Sequence, residues 1–430
     1  MPFSASEMEE LFGWMRRHAR LALAVSGGGD STALMHLCAR WRESSPVPDL
    51  HVLSVDHGLH ADSAAVARRV CARAEELGFP CSVLRWEGAK PQTGIEEAAR
   101  AARHALLAQW CMEHGAALVM AHTLEDQAET LLMRLARGAG LDGLAAMARE
   151  SVVPGTSVPL LRPLLGISRQ TLRDWLREEG IEWHEDPANA DERFERVRLR
   201  RAWPRLATLG LTPERLARSA ERLRRARETC AHYTSEAWEK HVRRHALGWL
   251  ELPIEILRAL PEEIALRLLA RAIVHVRGLP EAGRDMAGLE RLLHWLREED
   301  APDARTLAGV HFQRRAGKLL AGREPGRIGP PLTLTPPREE IVWDDRYRLR
   351  FSGLRAPLRS MALEQALKET VLPEEASACP ADVPAFAWRA QPAVLADDAL
   401  VALPLSGWRA TSAPFDTVNC TPYGSNSTSQ

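Results

Sequence analysis

The run Ser26-Gly27-Gly28-Gly29-Asp30-Ser31 constrains this chain more than any other stretch. The apolar segment Leu21-Ala22-Leu23-Ala24-Val25 precedes it, and Thr32-Ala33-Leu34-Met35-His36-Leu37 continues it with helical character. Strand, glycine-rich turn and helix together aim several backbone N–H groups at one point, where the helix N-terminus adds partial positive charge. That is an anion site suited to phosphate. No Gly-Lys-Ser/Thr closes the run, so it is not a Walker A loop. Its glycines are contiguous rather than spaced as G-x-G-x-x-G, so it is not a dinucleotide fingerprint. Asp30 stands where a Walker loop has its lysine. A carboxylate there can hold a divalent cation against the phosphates, which suits release of pyrophosphate from ATP.

The pattern that follows alternates strand and helix. Residues 50–55 read as a second strand, Ser63 to Leu77 as a helix closed by Gly78, and Phe79 to Trp86 as a third strand. Ile95 to His114 reads as a long helix closed by Gly115. Ala117 to Ala121 reads as a short buried strand, and Leu124 to Arg137 as a helix closed by Gly138. Repeated strand–helix units predict an α/β domain with a doubly wound parallel sheet, its ligand beyond the carboxyl ends of the strands. From about 206 to 300 the pattern is purely helical, with Thr212-Pro213-Glu214 as a helix start and apolar residues at helical spacing over Ile254 to Val276 and Met286 to Glu298. A turn-rich stretch follows, rich in glycine and proline, and Pro336-Pro337 ends it. Beyond it 341–351 is strand-like, short apolar runs suggest a small β-rich α+β domain, and Asn419 to Gln430 is expected to fray. The expected organisation is a catalytic domain over 1–205, a helical domain over 206–322, a linker over 323–337 and a β-rich domain over 338–430. No internal repeat is visible.

At 430 residues, with 26% charged residues and a net charge of −1, the total charge says nothing of partners. Its distribution does: twelve arginines lie between Arg193 and Arg227 against three acids, Glu195, Glu214 and Glu221. Such an excess is either a nucleic-acid footprint or a solvated helical face. The seven cysteines are scattered without a C-x-x-C pair, which argues against a zinc or dithiol site and fits a reducing cytoplasm. Leu21 to Val25 is too short and too late for a signal peptide, and no stretch approaches a membrane span.

Three further clusters carry chemistry. Val55-Asp56-His57-Gly58-Leu59, at the end of the second strand, either contacts a base or ribose or simply turns the chain. Arg100, in the first turns of its helix where the dipole disfavours cations, is placed to clamp phosphate if that end faces the site. In Ala121-His122-Thr123-Leu124-Glu125-Asp126-Gln127-Ala128-Glu129-Thr130, acids three and four apart share a helical face. A carboxylate cluster beside phosphate needs a cationic partner, either Mg²⁺ or a substrate ammonium. Finally, Asp186-Pro187-Ala188-Asn189 marks a loop, followed by arginines that bind phosphate or merely solvate a surface.

In this order these residues resemble the bacterial tRNA(Ile)-lysidine synthases of the PP-loop ATP pyrophosphatase superfamily. The likeness rests on S-G-G-G-D-S, V-D-H-G-L at 55–59, I-E-E-A-A-R at 95–100, the 121–130 stretch, R-P-L-L at 162–165 and D-P-A-N at 186–189, and spans about residues 20–205. It implies adenylation of a wobble cytidine at its carbon-2 oxygen with loss of pyrophosphate. Attack by the ε-amine of free L-lysine and loss of AMP then give lysidine in the CAU anticodon of an isoleucine tRNA. It implies ATP and Mg²⁺ as cofactors. Val25, Ser26, Gly27, Gly28, Gly29, Asp30 and Ser31 would bind ATP, with Val55, Asp56 and His57 at the adenosine and Asp30 near the metal. Asp30, Arg100, His122 and Asp126 would be catalytic, and Asp126 and Glu129 would bind lysine. Arg196, Arg198, Arg200 and Arg201 would bind tRNA, together with the helical and C-terminal domains. Whether the chain forms a homodimer is left open.

The sequence departs from the family pattern at four places. Thr123 and Glu125 replace a histidine and an aspartate of H-H-x-D-D-Q. Val197 replaces the asparagine of R-N-R, and His60 replaces the arginine of V-D-H-G-L-R. Among rivals, a tRNA thiolase lacks its usual cysteine pair here, and a GMP synthetase-like amidotransferase lacks room for its glutaminase. A non-catalytic nucleotide- and RNA-binding protein would be expected to have lost Asp30 or the acidic helix.

Overall fold

The computed structural model describes residues 3–44, 46–59, 62–88, 90, 95–185, 195–279, 285–298 and 302–423. The chain forms two compact units, Met1–Glu228 and Thr229–Gln430.

The first unit opens with α1 (Ala5–Phe12), whose N-cap Ser4 and Glu7 form a capping box. It continues through β1 (Arg20–Ala24), α2 (Gly29–Ser44), β2 (Asp49–Asp56), α3 (Ser63–Glu76), β3 (Cys81–Arg85), α4 (Ile95–His114), β4 (Ala117–Val119), α5 (Leu124–Ala136) and α6 (Leu141–Leu144). A hairpin of β5 (Glu150–Val152) and β6 (Pro159–Leu161) precedes α7 (Arg169–Glu178), α8 (Glu195–Thr208) and α9 (Pro213–His241). The sheet order is β3-β2-β1-β4-β6-β5, parallel except for β5 at the edge. This is the expected doubly wound α/β sheet.

Side-chain alternation along β1 builds both layers. Leu21, Leu23 and Val25 join Phe12, Trp41, Val52 and Val119 in one core, with α1, α2 and α7. Ala22 joins Leu53, Leu118 and Leu160 under Leu107, Trp110 and Cys111 of α4 in the other. From β1 the chain moves outward through β2 and β3, then crosses back to β4 and β6 on the other side. The crevice for a ligand therefore opens between the carboxyl ends of β1 and β4.

The unit boundary falls within α9 rather than at 205/206, because Leu216 and Ala220 of α9 pack on Ala128 and Leu131 of α5. Cys71 on α3 and Cys81 at the start of β3 form a disulfide, which corrects the reading of the scattered cysteines as the free thiols of a reducing compartment. The tight α3–β3 return through Gly78, at φ +72°, brings them together.

The second unit corrects the purely helical reading of 206–300. β7 (Arg243–Arg244) and β8 (Leu250–Pro253) join β9 (Ala304–Leu307), β10 (Val310–Arg315) and β11 (Lys318–Arg323) in a sheet ordered β7-β8-β11-β10-β9. Because β8 pairs with β11, across a long loop of sequence, local periodicity could not reveal it. The stretch 254–276 is two helices, α10 (Ile254–Ala259) and α11 (Glu262–Arg277), broken at Pro261. With α12 (Met286–Arg297) they bury Trp295, Leu268 and Leu269 against Phe312 and Leu252.

The segment 323–337 contains β12 (Leu332–Leu334), and 341–351 is not one strand but the hairpin of β13 (Glu340–Trp343) and β14 (Tyr347–Ser352). Asp344 and Asp345, at φ +49° and +54°, make its turn. β15 (Leu358–Ala362), α13 (Leu363–Glu369), α14 (Glu374–Ser377), α15 (Ala385–Arg389), β16 (Pro392–Ala396), β17 (Ala399–Leu403), β18 (Trp408–Arg409) and β19 (Thr417–Pro422) complete the chain. The expected fraying from 419 is corrected as well: β19 pairs with β14 as far as Pro422. Among the described residues no helix is long and apolar enough to cross a membrane.

Candidate active site

Three loops meet at the crevice, those after β1, β4 and β6. After β1, Ser26 and Ser31 close the glycine loop on itself. The Ser26 amide donates to Ser31 Oγ at 3.2 Å, and Ser31 Oγ donates to the Gly28 carbonyl at 3.0 Å. Gly27 needs its glycine twice over. Its φ is +86°, and a Cβ would stand 2.9 Å from Val66 of α3. Gly29 lies under the Trp183 indole, and the His184 amide donates to the Gly27 carbonyl at 2.9 Å. Gly28 is different, since a Cβ there would meet only Ser26 Oγ at 3.7 Å. The loop is thus clamped on two sides and open at Gly28, the approach a phosphate needs.

After β4, Thr123 caps α5. One carboxylate oxygen of Asp126, Oδ2, accepts from the Thr123 amide at 2.8 Å and from its hydroxyl at 3.0 Å. The other, Oδ1, is left for the site. Asp126 is 5% exposed and Glu129 is fully buried, so both need cationic partners.

The partner for both is Arg169, at the first position of α7 after β6. Its Nε donates to Asp30 Oδ2 at 3.0 Å, its Nη2 to Asp126 Oδ1 at 2.5 Å and its Nη1 to Glu129 Oε1 at 3.1 Å. Its backbone amide donates to both oxygens of Glu125, at 2.9 and 3.1 Å. One residue therefore touches every acid of the cluster. Sequence reasoning missed it. The signals available were a serine N-cap directly before it and an acidic cluster that lacked a cation.

α8 supplies the rest of the positive charge. Arg200 Nε donates to Glu129 Oε1 at 2.8 Å, and Arg196 Nη1 stands 3.7 Å from Asp126 Oδ1. Four apart on one helical face, these two line the acidic helix, whereas Arg198 and Arg201 are exposed. Val197 is buried, in keeping with no role at the site.

Electrostatics follow the geometry. Burial pushes the Asp126 carboxyl up, but Arg169, the Thr123 amide, His122 and Arg196 outweigh it and hold it below its ordinary value. For Asp30 the balance goes the other way: burial, reinforced by Asp126, leaves its carboxyl raised despite Arg169. Burial pulls His122 down to about 4, so its imidazole is neutral at pH 7, and its Nδ1 is buried without a partner. Desolvation, then Arg196 and Arg103, lower the Arg100 guanidinium against the pull of Asp126, and Arg100 itself is exposed on α4.

After β2, Asp56 Oδ1 accepts from the Gly58 amide at 3.0 Å and from the Ser63 hydroxyl, and His57 Nδ1 accepts from the Leu59 amide at 3.1 Å. These contacts shape the turn at the end of β2, and Val55 packs against the core beneath it. The Asp186–Asn189 loop, Arg193 and His60 lie outside the described residues.

A model of the PP-loop domain family matches residues 3–206. A tRNA(Ile)-lysidine synthase of Ruegeria pomeroyi is 42% identical over 332 residues, covering 77% of this chain and 76% of the relative. One of Bradyrhizobium diazoefficiens is 46% identical over 281 residues, covering 63% and 77%. One of Wolbachia pipientis wMel is 31% identical over 406 residues, covering 93% of this chain and 92% of the relative. With its glycine loop and acidic helix set together at the switch point of the sheet, the chain belongs to the tRNA(Ile)-lysidine synthase family.

Proposed function

We propose that this protein uses ATP to join free L-lysine to carbon 2 of the wobble cytidine in the CAU anticodon of an isoleucine tRNA. The carbon-2 oxygen attacks the α-phosphate and pyrophosphate leaves. The lysine ε-amine then adds at carbon 2 and AMP departs. The observation that carries this reading is the meeting of a phosphate loop and a buried carboxylate pair at one crevice. Backbone amides around Gly28 receive the phosphates, while Asp126 and Glu129 receive the lysine ammonium. A carboxylate of the cluster is placed to take the proton of the amine before attack, and His122 stands neutral beside Asp126 with its buried Nδ1 unpaired. In this reading Arg100 would meet the charge that develops on the phosphate.

Mg²⁺ fits here. Asp30 and Asp126 bond one guanidinium, so both lie within reach of a single cation, and they are hard oxygen donors beside a phosphate site. Among the described residues no three His, Cys, Asp or Glu side chains are grouped to hold a metal alone, and Mg²⁺ commonly completes its shell with phosphate and water. When bound, it would neutralise charge on the departing pyrophosphate.

In this reading exposed Arg198 and Arg201, with the domains over 206–322 and 338–430, bind the tRNA. The cytidine leaves its stack to reach the crevice. The setting is the cytoplasm. Purified protein incubated with ATP, Mg²⁺ and labelled lysine should label isoleucine tRNA(CAU) and not methionine tRNA(CAU), and Asp30→Ala should abolish labelling. ATP bound with neither tRNA labelled would overturn the proposal in favour of a nucleotide- and RNA-binding protein.

A further inference from the structure

The carboxylates that line the crevice are each paired already. Asp30, Asp126 and Glu129 bond guanidinium groups, those of Arg169, Arg196 and Arg200. Arg196 and Arg200 each engage one carboxylate from α8. Arg169 alone spans all three, with a different nitrogen on each. A cation entering such a site meets carboxylates that already have guanidinium partners, and the Asp126 oxygen turned toward it is already taken. The carboxylates can accept a substrate cation only if a resident one gives way.

Arg169 is placed to do so. Its main chain is fixed by Glu125 and the start of α7, while its side chain remains 18% exposed. Its Nε already touches Asp30, a member of the glycine loop. A guanidinium leaving Asp126 and Glu129 therefore has the phosphate site as its nearest alternative, and phosphate oxygens match its planar fork.

We propose that Arg169 is an exchangeable counter-cation: the lysine ε-ammonium binds by displacing its guanidinium from Asp126 and Glu129, and that guanidinium turns to the nucleotide phosphates. This deepens the lysidine-forming reading and rests on it for the identity of the cation. The consequence is coupling. Nucleotide gives Arg169 a second partner, so nucleotide binding frees the carboxylates for lysine, and by linkage lysine tightens nucleotide.

The test is equilibrium dialysis of labelled L-lysine, with and without α,β-methylene-ATP, and no tRNA. In the wild type the analogue should tighten lysine by about tenfold, within the usual range of coupling between sites. In Arg169→Met, which keeps the long stem without the charge, lysine should already bind about tenfold tighter than to the wild type alone, and the analogue should add nothing. Equal lysine affinity in the two proteins without nucleotide, or no coupling in the wild type, overturns the proposal. A merely structural arginine would weaken lysine binding in the variant. If Arg169→Met fails to fold by circular dichroism, Arg169→Lys offers one nitrogen in place of three and should fall between. The wild-type coupling is decisive in either case. Titration with Mn²⁺ alone, followed by its electron paramagnetic resonance, reads the same carboxylates without reference to lysine. Tighter Mn²⁺ in the variant with no lysine transfer by the wild type would reject the lysine reading and keep the exchange; unchanged Mn²⁺ would reject the exchange.

Discussion

His122 makes a quantitative prediction. Burial lowers its imidazole from 6.5 to about 4, so the unfolded chain takes a proton at a pH where the folded site refuses it. Stability from this residue is complete above pH 6.5, falls as the pH drops from 6.5 toward 4, and is flat below. The full interval corresponds to ~3 kcal/mol, and at pH 5 about 2 kcal/mol should already be lost. The perturbation is His122→Asn, which keeps a planar polar group without a titration. The assay is hydrogen exchange of the β4 and α5 amides, compared between wild type and variant at equal pH so that intrinsic exchange cancels. His36, which burial also lowers to about 4, is common to both proteins and cancels too. Between pH 7.5 and 5, protection in the wild type should fall roughly thirtyfold relative to the variant, the equivalent of about 2 kcal/mol. A ratio that stays constant would show that His122 titrates normally in the fold, and would remove the argument that it is neutral at pH 7 because it is buried.

Gly27→Ala should cost about 1–3 kcal/mol, since an alanine at φ +86° is strained and its Cβ meets Val66. ATP affinity measured by calorimetry should fall with it, whereas Gly28→Ala should fold normally and lose ATP affinity alone. Glu125→Gln should destabilise by about 1–2 kcal/mol, because the Arg169 amide loses a charged acceptor. If Glu125 acts only by holding α7, lysine transfer should fall less in this variant than in Asp126→Asn. Cys71→Ser should lose about 3 kcal/mol in urea unfolding without reductant, by the chain-entropy estimate for its short loop, and nothing when dithiothreitol is present. A loss that persists under reductant would assign Cys71 a packing role instead.

The parts of the fold legible in sequence are those whose cause is local. β1, the glycine run and α2 are adjacent, and α4 matches its expected span because its apolar spacing and the Gly115 stop lie within it. β8 was illegible because its partner β11 lies far along the chain. Arg169 was illegible for a related reason. As one arginine after R-P-L-L it carries no pattern, and its meaning comes from three acids contributed by two other elements. The acidic cluster did announce that a cation was missing. It could not announce that the protein supplies one.

The same geometry sorts the motif around residue 122 into chemistry and scaffold. Thr123 and Glu125, the two departures from the expected pattern, both make backbone-directed contacts, one capping α5 and the other holding the amide of Arg169. Hydroxyl or imidazole can cap a helix, and a longer carboxylate can reach an amide, so the site tolerates both changes. Asp126 and Glu129 instead turn carboxylate oxygens to the guanidinium of Arg169, where a change of length or charge would break contact with a cation. Position in the motif therefore matters less than direction. Asp126 Oδ1 and Glu129 Oε1 meet Arg169, while Thr123 and Glu125 bond groups at the starts of α5 and α7. An exchange at Asp126 that kept its charge but shortened its reach to Thr123 is impossible with natural side chains. One carboxylate there both caps α5 and holds the guanidinium of Arg169, which ties the placement of that cation to the stability of the helix that carries Asp126.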